Sequence, residues 1–573
     1  MTTFAGTDTL TRDALTVLQP GFTGTTAPDW LLRRLGEGLA SVGLFGRNID
    51  SPDQLAALTA QLRAERDDVL VAIDEEGGDV TRLEVRTGSS FPGNHALGAV
   101  DDVELTREVA FELGRRLAAC GVNFNWAPSA DVNSNPGNPV IGVRSFGAAP
   151  DLVARHTAAY VTGLQAAGVA ACTKHFPGHG DTAIDSHHAL PRIDADTPVL
   201  HDRELAPFRA AIAAGTRAVM TAHILVPALD PERPATLSRR VLTDLLRGEL
   251  GYDGLIVTDG MEMQAIAGTY GIERGSVLAL ASGADAICVG GGLADDETVR
   301  RLRDALVTAV RSGELPEERL ADAADRVRAL ARWTASTSGR GDEKETSRIA
   351  PSPQPFGTSP VSPTFPSPSA SPASPTSSTP QASPTSSTTS QGSPVLPASP
   401  ASPSSPASPV SAKAAVDDVG LRAARRALRL TGAEKFTPLT EPPYVAALTP
   451  MANIAVGHET PWGVAAELVR LFPGTETGIF TNEHAGPAAL EAADGRRIVA
   501  VVRDEHRHPW MAAALDTLLA ARPDTIVVEM GLPQAAPRGS LHIATHGAAR
   551  VCGRAAAEVV AGVEPGVEGC STE

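Results

Sequence analysis

Short apolar runs alternate with longer segments in which apolar residues recur every three or four positions. The short runs are typical of buried strands, and the longer segments, such as 104–119, 151–167 and 298–311, are typical of amphipathic helices. This alternation predicts parallel strands joined by helical crossovers. The clearest strand candidates are Val42–Phe45, Val69–Ile73, Val122–Trp126, Ala170–Thr173, Ala218–Ala222, Leu255–Thr258 and Ala286–Val289. With an early strand near Leu15–Val17 the count reaches eight, so residues 1–335 are predicted to form a (β/α)₈ barrel, with an open doubly wound sheet as the alternative.

A change in composition divides the chain after the barrel. Residues 351–410 are Pro, Ser, Thr and Ala with few others and no charged residue. Such a segment buries too little apolar surface to offset the entropy of ordering, so residues 336–412 are predicted to be a disordered linker between loosely coupled domains. Its PxxP-like and Ser-Pro segments leave recruitment of a partner as an alternative.

Residues 413–573 return to a globular pattern and are predicted to form a smaller α/β sandwich domain. The predicted elements are a helix at Val416–Leu430, strands at Val445–Leu448, Ile498–Val502 and Thr525–Glu529, and a helix at Gly547–Val563.

The overall charge narrows the classes of partner. Lys and Arg number 49 against 67 Asp and Glu, a net charge of −18, which opposes binding to nucleic acid and to anionic membranes.

The five Cys lack disulfide or metal-ligand spacing, and the N-terminus lacks the apolar core of a secretory signal. We therefore expect a cytoplasmic protein. The run Gly290–Gly292 lacks the spacing of a dinucleotide fingerprint, so no cofactor is expected.

Polar residues concentrate where the predicted barrel strands end, which is where barrel enzymes place their sites. Asp74 and Arg82 follow one strand, and Arg144 lies in the loop after the next. The densest run, TKHFPGHGDTAIDSHHALP, starts at Thr173 and carries several candidates, namely Lys174, His175, His179, Asp181, Asp185, His187 and His188. Finally, Asp259 ends the apolar run GLIVTD.

Carboxylates on two elements of one barrel mouth suggest cleavage of a glycosidic bond, which needs a nucleophile and an acid/base. Asp259 is the better nucleophile candidate because a strand end is rigid, and Asp185 is placed to tune His187 as the acid/base. Alternatively, Asp259 caps a strand or joins an ion pair, and His187 taken alone is typical of a surface histidine.

A metal site is the rival chemical interpretation. The cluster contains ligand types used by barrel metallohydrolases: His175, His179, His187, His188 and His223, with Asp181 and Asp259. Against it, no HxH pair follows the first strand, and Lys174 beside His175 repels a cation. For Asp74, Arg82, Arg144 and Lys174, a clamp on substrate hydroxyls and salt bridging across the barrel mouth remain equal alternatives.

The motifs IDEEGGDVTR, NFNWAPSADVNSNPGNPVIGVRSFG, KHFPGHGDTAIDSHHALP and GLIVTDGMEM resemble the β-N-acetylhexosaminidase branch of glycoside hydrolase family 3, in its two-domain form. The resemblance implies retaining, metal-free hydrolysis of terminal β-linked N-acetylglucosamine. Asp259 would be the nucleophile, and Asp185 with His187 the acid/base. Sugar-binding positions would be Asp74, Arg144, Lys174 and His175, while Arg82 and His179 lie in the motifs with less defined roles.

One residue departs from that pattern. Asp79 stands where these enzymes commonly have Arg, and we expect it to alter the outer pocket or its charge. Because the acid/base lies on the barrel's own loop, we expect residues 1–335 to retain hydrolysis.

The resulting functional prediction is an exo-acting β-N-acetylglucosaminidase whose substrates are β-GlcNAc-terminated saccharides or muropeptides. Phosphorolysis remains an alternative, because a histidine acid/base repels phosphate less than a carboxylate does. The motifs are also compatible with a β-glucosidase of the same family, and a sugar sensor without catalytic activity is a hypothesis from a different functional class.

Overall fold

The structure, a computed structural model, describes residues 8–184, 190–292, 295–337, 418–450 and 460–563. Within these ranges, the part before residue 338 has eight strands. They are β1 (Leu18–Pro20), β2 (Ser41–Leu44), β3 (Leu70–Ile73), β4 (Phe124–Asn125), β5 (Ala170–Phe176), β6 (Ala218–Thr221), β7 (Leu255–Val257) and β8 (Ile287–Val289).

These strands pair in parallel and in chain order. A six-stranded sheet runs from β2 to β7, β8 pairs with β1, and a bridge between Val257 and Ala286 joins β7 to the start of β8. The Ser41 hydroxyl donates a hydrogen bond to the Leu18 carbonyl oxygen at 3.2 Å, which connects β1 to β2. This arrangement is consistent with an α/β barrel and matches the predicted number of strands.

Helices follow the strands as crossovers. They are α1 (Thr9–Thr16), α2 (Asp29–Glu37), α3 (Pro52–Glu65), α4 (Asn94–Val100), α5 (Val103–Ala119), α6 (Pro150–Ala166), α7 (Thr197–Val199), α8 (Leu205–Ala213), α9 (Gln264–Tyr270), α10 (Ile272–Ser282), α11 (Asp296–Ser312) and α12 (Glu317–Thr337), with a π-helical segment at Arg240–Glu249. In the described parts of the chain, no helix has both the length and the apolar character needed to cross a membrane.

The long crossover α5 shows how sequence determines a helix here. The Asp102 carboxylate accepts hydrogen bonds from the backbone N–H groups of Glu104 and Leu105, which caps the N-terminus. Leu105, Val109 and Leu113 recur every four residues and are buried, so one face of the helix packs inward. The helix begins and ends within one residue of its predicted bounds.

Two predictions in the barrel need correction. Residues 15–17 are not a strand, because the Asp8 side chain caps a helix that continues to Thr16, and β1 starts only at Leu18. The apolar run across this point belongs to a buried helix end followed by a buried strand, which the pattern alone does not separate. In addition, β5 extends to Phe176, so Lys174 and His175 lie on a strand rather than in the loop.

The C-terminal region forms a second α/β domain. Its strands are β9 (Arg429–Thr431), β10 (Tyr444–Leu448), β11 (Glu476–Phe480), β12 (Ile498–Val502), β13 (Ile526–Glu529) and β14 (Leu541–Ala544), and its helices are α13 (Val419–Ala427), α14 (Ala465–Leu471), α15 (Ala485–Ala493), α16 (Pro509–Ala521) and α17 (Arg550–Val560). The sheet order is β11-β10-β12-β13-β14-β9, parallel except for β9. The predicted helix 416–430 is therefore too long, since its last residues enter β9.

Alternating residues give this sheet two apolar faces. Val499 and Val501 pack in one cluster with residues of α17, while Ala500 and Val502 pack in another with residues of α15 and α16. The predicted sandwich of helices around a sheet is therefore observed.

The prediction of loose coupling between the two domains is wrong. The described residues of both domains belong to one compact unit. Ion pairs join them, including Arg426 with Asp102 at 2.8 Å, and the Arg550 guanidinium donates to the Ser90 hydroxyl at 2.6 Å. The prediction relied on the composition of the segment between the domains. Composition carries no information on these contacts, which join residues more than 300 positions apart. The disorder predicted for residues 336–412 concerns a segment that lies almost entirely outside the described residues.

Two stacked histidines lie in this interface. The rings of His95 in the barrel and His546 in the C-terminal domain have centroids 5.2 Å apart, and their Nδ1 atoms are 3.3 Å apart. Burial lowers the pKa of His95 to about 4, against the opposing charge of Asp504. Burial, together with the charges of His95 and Arg429, lowers the pKa of His546 to about 3. Both rings are therefore neutral at pH 7.

We expect this pair to make the protein less stable in mild acid. Below pH 6.5, the ordinary imidazole value, the unfolded chain takes up protons that the folded pair does not, so stability falls as pH decreases towards 4. At pH 5 the loss amounts to roughly 1–2 kcal/mol per histidine. Thermal unfolding of His546→Gln should show a smaller difference between pH 7 and pH 5 than the wild type. The exposed His484→Gln serves as control, and an unchanged pH dependence in His546→Gln would contradict the expectation.

Candidate active site

The carboxyl ends of the barrel strands bring most of the predicted site residues together. Asp74 and Glu76 follow β3, Lys174 and His175 lie at the end of β5, and Arg144 comes from the loop after β4. Because parallel strands all point the same way, these side chains meet at one end of the barrel.

The centre of the cluster is a buried carboxylate that binds two cations. Glu76 Oε1 accepts hydrogen bonds from Lys174 Nζ and Arg144 Nη2, each at 2.6 Å, and Glu76 Oε2 accepts one from Arg144 Nε at 3.0 Å. Burial by itself raises the pKa of Glu76, but the charges of Arg144 and Lys174 outweigh it and hold that pKa well below its usual range. Glu76 is therefore ionised, and it compensates both buried cations.

Asp74 extends the cluster towards solvent. Its carboxylate accepts a hydrogen bond from Lys174 Nζ at 2.6 Å and one from Arg82 Nη2 at 3.3 Å, and 18% of its side chain is exposed. A partly exposed carboxylate with fixed orientation can accept hydrogen bonds from hydroxyl groups of a bound molecule.

His175 is oriented by a second buried carboxylate. Its Nδ1 lies 2.7 Å from Asp131 Oδ2, and its Nε2 lies 3.5 Å from Arg144 Nη2. Since the Asp131 carboxylate can only accept, the His175 Nδ1–H group donates this hydrogen bond. Burial raises the pKa of Asp131, yet the charge and hydrogen bond of His175 prevail and lower it to about 2.

His179 is held by the same carboxylate but lies deeper. Its backbone N–H donates to Asp131 Oδ1 at 2.7 Å, its Nδ1 contacts Thr182 Oγ1 at 2.9 Å, and its side chain is buried. Burial, with a smaller contribution from the charge of His175, lowers the pKa of His179 to about 4. These contacts indicate that His179 stabilises the conformation of the loop after β5.

Asp259 follows β7, at the same end of the barrel as the charged cluster. The backbone on both sides of it is bonded to the β8 segment, with Thr258 N–H donating to the Ala286 carbonyl oxygen and Met261 N–H to that of Cys288, both at 3.0 Å. Burial is the main reason that the pKa values of the thiols Cys172 and Cys288 are raised, and the charges of Asp259 and Asp74 both add to this effect. The two carboxylates therefore act on the same region, and Asp259 is only partly buried.

Three carboxylates with clear structural roles were not predicted as site residues. Besides Glu76 and Asp131, Glu75 is fully buried, and its Oε2 accepts hydrogen bonds from the backbone N–H groups of Arg82 and Leu83 at 2.7 and 2.8 Å. Burial raises the pKa of Glu75 to about 7. All three lie in the family motifs and follow predicted strand ends, but their roles depend on burial, which is a tertiary property.

The predicted acid/base pair, Asp185 and His187, lies outside the described residues, as does His188. Among the residues that are described, no group of three or more His, Cys, Asp and Glu side chains could hold a metal ion. The surroundings of His175 also disfavour a cation, since both ring nitrogens are engaged and Lys174 and Arg144 lie beside it.

The effect predicted for Asp79 on the outer pocket is not what the structure shows. Its carboxylate is paired with Arg503 of the C-terminal domain and accepts a hydrogen bond from the Ala548 backbone N–H at 2.8 Å. Asp79 therefore belongs to the domain interface.

Taken together, an α/β barrel that carries a partly exposed aspartate and a buried cluster of charges at the carboxyl ends of its strands has the features of a carbohydrate-active enzyme. Comparison with known proteins agrees. Residues 29–330 match the model of the glycosyl hydrolase family 3 N-terminal domain, which is more than half of the chain. The chain belongs to glycosyl hydrolase family 3.

Individual relatives refine this assignment to the predicted β-N-acetylhexosaminidase branch. The chain is 36% identical over 312 residues to beta-hexosaminidase A of Pseudoalteromonas piscicida, a match covering 50% of this chain and about half (52%) of that protein. It is 38% identical over 257 residues to the beta-hexosaminidase of Alkalilimnicola ehrlichii, covering 44% of this chain and 73% of the relative. A family 3 β-N-acetylglucosaminidase from Paenibacillus sp. str. FPU-7 superimposes with a TM-score of 0.75 and 33% identity, covering 97% of both chains.

We expect Glu76→Gln to destabilise the protein strongly, because it leaves the buried Arg144 without a carboxylate partner. Breaking a buried ion pair from one side costs about 3–5 kcal/mol. The free energy of unfolding from denaturant titration measures this loss. Glu112→Gln is the control, since it removes an ion pair with Arg115 on a helix surface and should cost at most about 1 kcal/mol. If both variants lost the same free energy of unfolding, the buried ion pairs of Glu76 would contribute no more to stability than a surface ion pair does, which would contradict the expectation.

Proposed function

We propose that the protein is a retaining exo-β-N-acetylglucosaminidase that hydrolyses terminal β-linked GlcNAc. The observation that supports this most directly is the position of Asp259, a partly exposed carboxylate at the carboxyl end of β7. The cluster of Asp74, Lys174 and Arg144 lies at the same end of the barrel. The relatives, which are beta-hexosaminidases and a β-N-acetylglucosaminidase, support the choice of sugar.

In the first step, an Asp259 oxygen attacks the anomeric carbon while the bond from that carbon to the leaving oxygen breaks. His187 gives its proton to the leaving oxygen, and Asp185 stabilises the resulting imidazole in the required tautomer. The products are a glycosyl ester on Asp259 and the free aglycone.

In the second step, water attacks the anomeric carbon of the ester. His187 takes a proton from that water, the bond to Asp259 breaks, and the carboxylate is restored. Two inversions leave the sugar with its original β configuration, so the reaction is retaining.

The charged cluster binds the sugar and orients it for attack. The Asp74 carboxylate accepts hydrogen bonds from sugar hydroxyl groups, and Lys174, Arg144 and Arg82 supply charged donors. Asp131 keeps His175 in one tautomer, so its contact with the substrate has a defined direction. Such preorganisation lowers the barrier because the groups need not reorient during the reaction.

Muropeptides are the natural substrates that we propose within this class, and the cytoplasm is the proposed compartment. The choice of substrate rests on the resemblance to the β-N-acetylhexosaminidase branch, and the compartment on the five Cys, whose lack of disulfide spacing fits a reducing environment.

The substrate class can be tested with two nitrophenyl glycosides assayed side by side, the β-N-acetylglucosaminide and the β-glucoside. We expect turnover that prefers the acetamido sugar and is unchanged by a chelator. Preference for the glucoside would indicate a β-glucosidase, and loss of turnover with chelator would indicate a metal site. Formation of sugar 1-phosphate in phosphate buffer would indicate a phosphorylase, and binding of GlcNAc without turnover would indicate a sensor.

The role of Asp259 has its own test. Asp259→Ala should lower kcat by at least about a thousandfold, because no nucleophile remains to form the ester. Added azide should restore part of the turnover by attacking the anomeric carbon from the vacated side, giving the α-glycosyl azide. Asp253→Asn is a matched control at the opposite end of β7, with 92% of its side chain exposed, and should retain wild-type activity. Wild-type kcat in Asp259→Ala would refute the mechanism.

A further inference from the structure

One four-residue turn connects the proposed sugar-binding cluster to the C-terminal domain. The turn is Glu76-Gly77-Gly78-Asp79, which starts three residues after the end of β3 at Ile73. At its first residue, Glu76 binds Lys174 and Arg144, and at its last residue, Asp79 binds the C-terminal domain.

The turn has little freedom to adjust between these two ends. The Glu76 N–H donates to the Val80 carbonyl oxygen at 3.0 Å, and the Gly78 N–H donates to the Phe91 carbonyl oxygen, also at 3.0 Å. Gly77 and Gly78 have φ of 76° and 64°, and a Cβ on Gly78 would lie 2.4 Å from the Gly93 Cα. The turn is thus tightly packed, so a displacement of Asp79 is transmitted to Glu76.

The C-terminal domain satisfies both oxygens of Asp79. Arg503, which directly follows β12, binds one oxygen, and the Ala548 N–H donates to the other at 2.8 Å. Only 1% of the Asp79 side chain is exposed. Arg503 is itself packed, with its guanidinium 5.8 Å from the centre of the Trp462 ring. A buried carboxylate that lost this guanidinium would be driven to rotate towards solvent.

We propose that Asp79 and Arg503 are positioning residues for the sugar site. Through them the C-terminal domain holds the turn so that Glu76 presents Lys174 and Arg144 in the geometry that binds the terminal sugar. This inference rests on the proposed function. It also refines the expectation for residues 1–335: the barrel carries the reacting groups, but without Arg503 it binds the sugar more weakly.

Four single variants of the full chain, together with the double variant Asp79→Asn/Arg503→Met, test the proposal by separating effects on KM from effects on kcat. Arg503→Met removes the guanidinium from the C-terminal domain, and Asp79→Asn removes the charge but keeps an acceptor for the Ala548 N–H. The control, Arg426→Met, removes another ion pair between the domains, that with Asp102, which has no bond to the turn. Arg503→Lys is the conservative variant.

With the β-N-acetylglucosaminide, we expect Arg503→Met and Asp79→Asn each to raise KM about tenfold while kcat stays within about twofold of wild type. Arg503→Lys should raise KM less than Arg503→Met does. The double variant should have a KM no higher than the single variant with the higher KM, because the two substitutions remove the same interaction. Arg426→Met should leave both constants within about twofold.

Equal effects of Arg503→Met and Arg426→Met would overturn the proposal, since they would indicate general loosening of the interface. An unchanged KM with only a lower Tm or kcat would also overturn it, because loss of folded protein reduces kcat without changing sugar affinity. If the wild type turns over neither glycoside, the proposed function fails instead. In that case the GlcNAc affinities of the four variants, measured by calorimetry, are compared in the same way. Absence of GlcNAc binding by the wild type would overturn both the proposed function and the proposed positioning role.

Discussion

The buried carboxylate of Glu76 is the interaction on which the site depends. Lys174 on β5 and Arg144 in the loop after β4 are both buried, and each would be very costly there without an opposite charge. Glu76 compensates both and connects three successive strand ends through one side chain. The positions of Asp74 and His175 follow from it, because their partners Lys174 and Arg144 are already held in place.

A second carboxylate, Asp131, does the same for the loop that follows β5. It accepts hydrogen bonds from the His175 ring and from the backbone N–H groups of His175 and His179. Its charge therefore stabilises both the strand end at His175 and the residues that follow it up to His179. Buried carboxylates, rather than apolar packing, determine the direction of the polar groups at this barrel mouth.

The C-terminal domain has a more direct relation to the site than its distance along the chain suggests. It contributes no proposed reacting group, yet it satisfies Asp79, and its His546 packs on His95 close to the same turn. An interface in which a charge pair and two neutral imidazoles are buried is sensitive to pH and to single substitutions, because each of these groups depends on its partner for solvation. Domain docking and the charged cluster that we propose to bind the sugar thus share one structural element.

The sequence by itself determined the order of strands and helices, the two domains, the family and the motifs that contain the site, because periodicity and local motifs are properties of neighbouring residues. Helix α5 was predicted to within a residue, since its cap and apolar spacing are local. The sequence did not separate the end of α1 from β1, because a continuous apolar run is compatible with both. Only the tertiary structure identified Glu76 and Asp131 as the charges that organise the site and gave Asp79 its partner in Arg503. A carboxylate needs a positively charged partner when it is buried, and that partner can lie hundreds of residues away along the chain. Neither burial nor such a distant partner leaves a local pattern in the sequence.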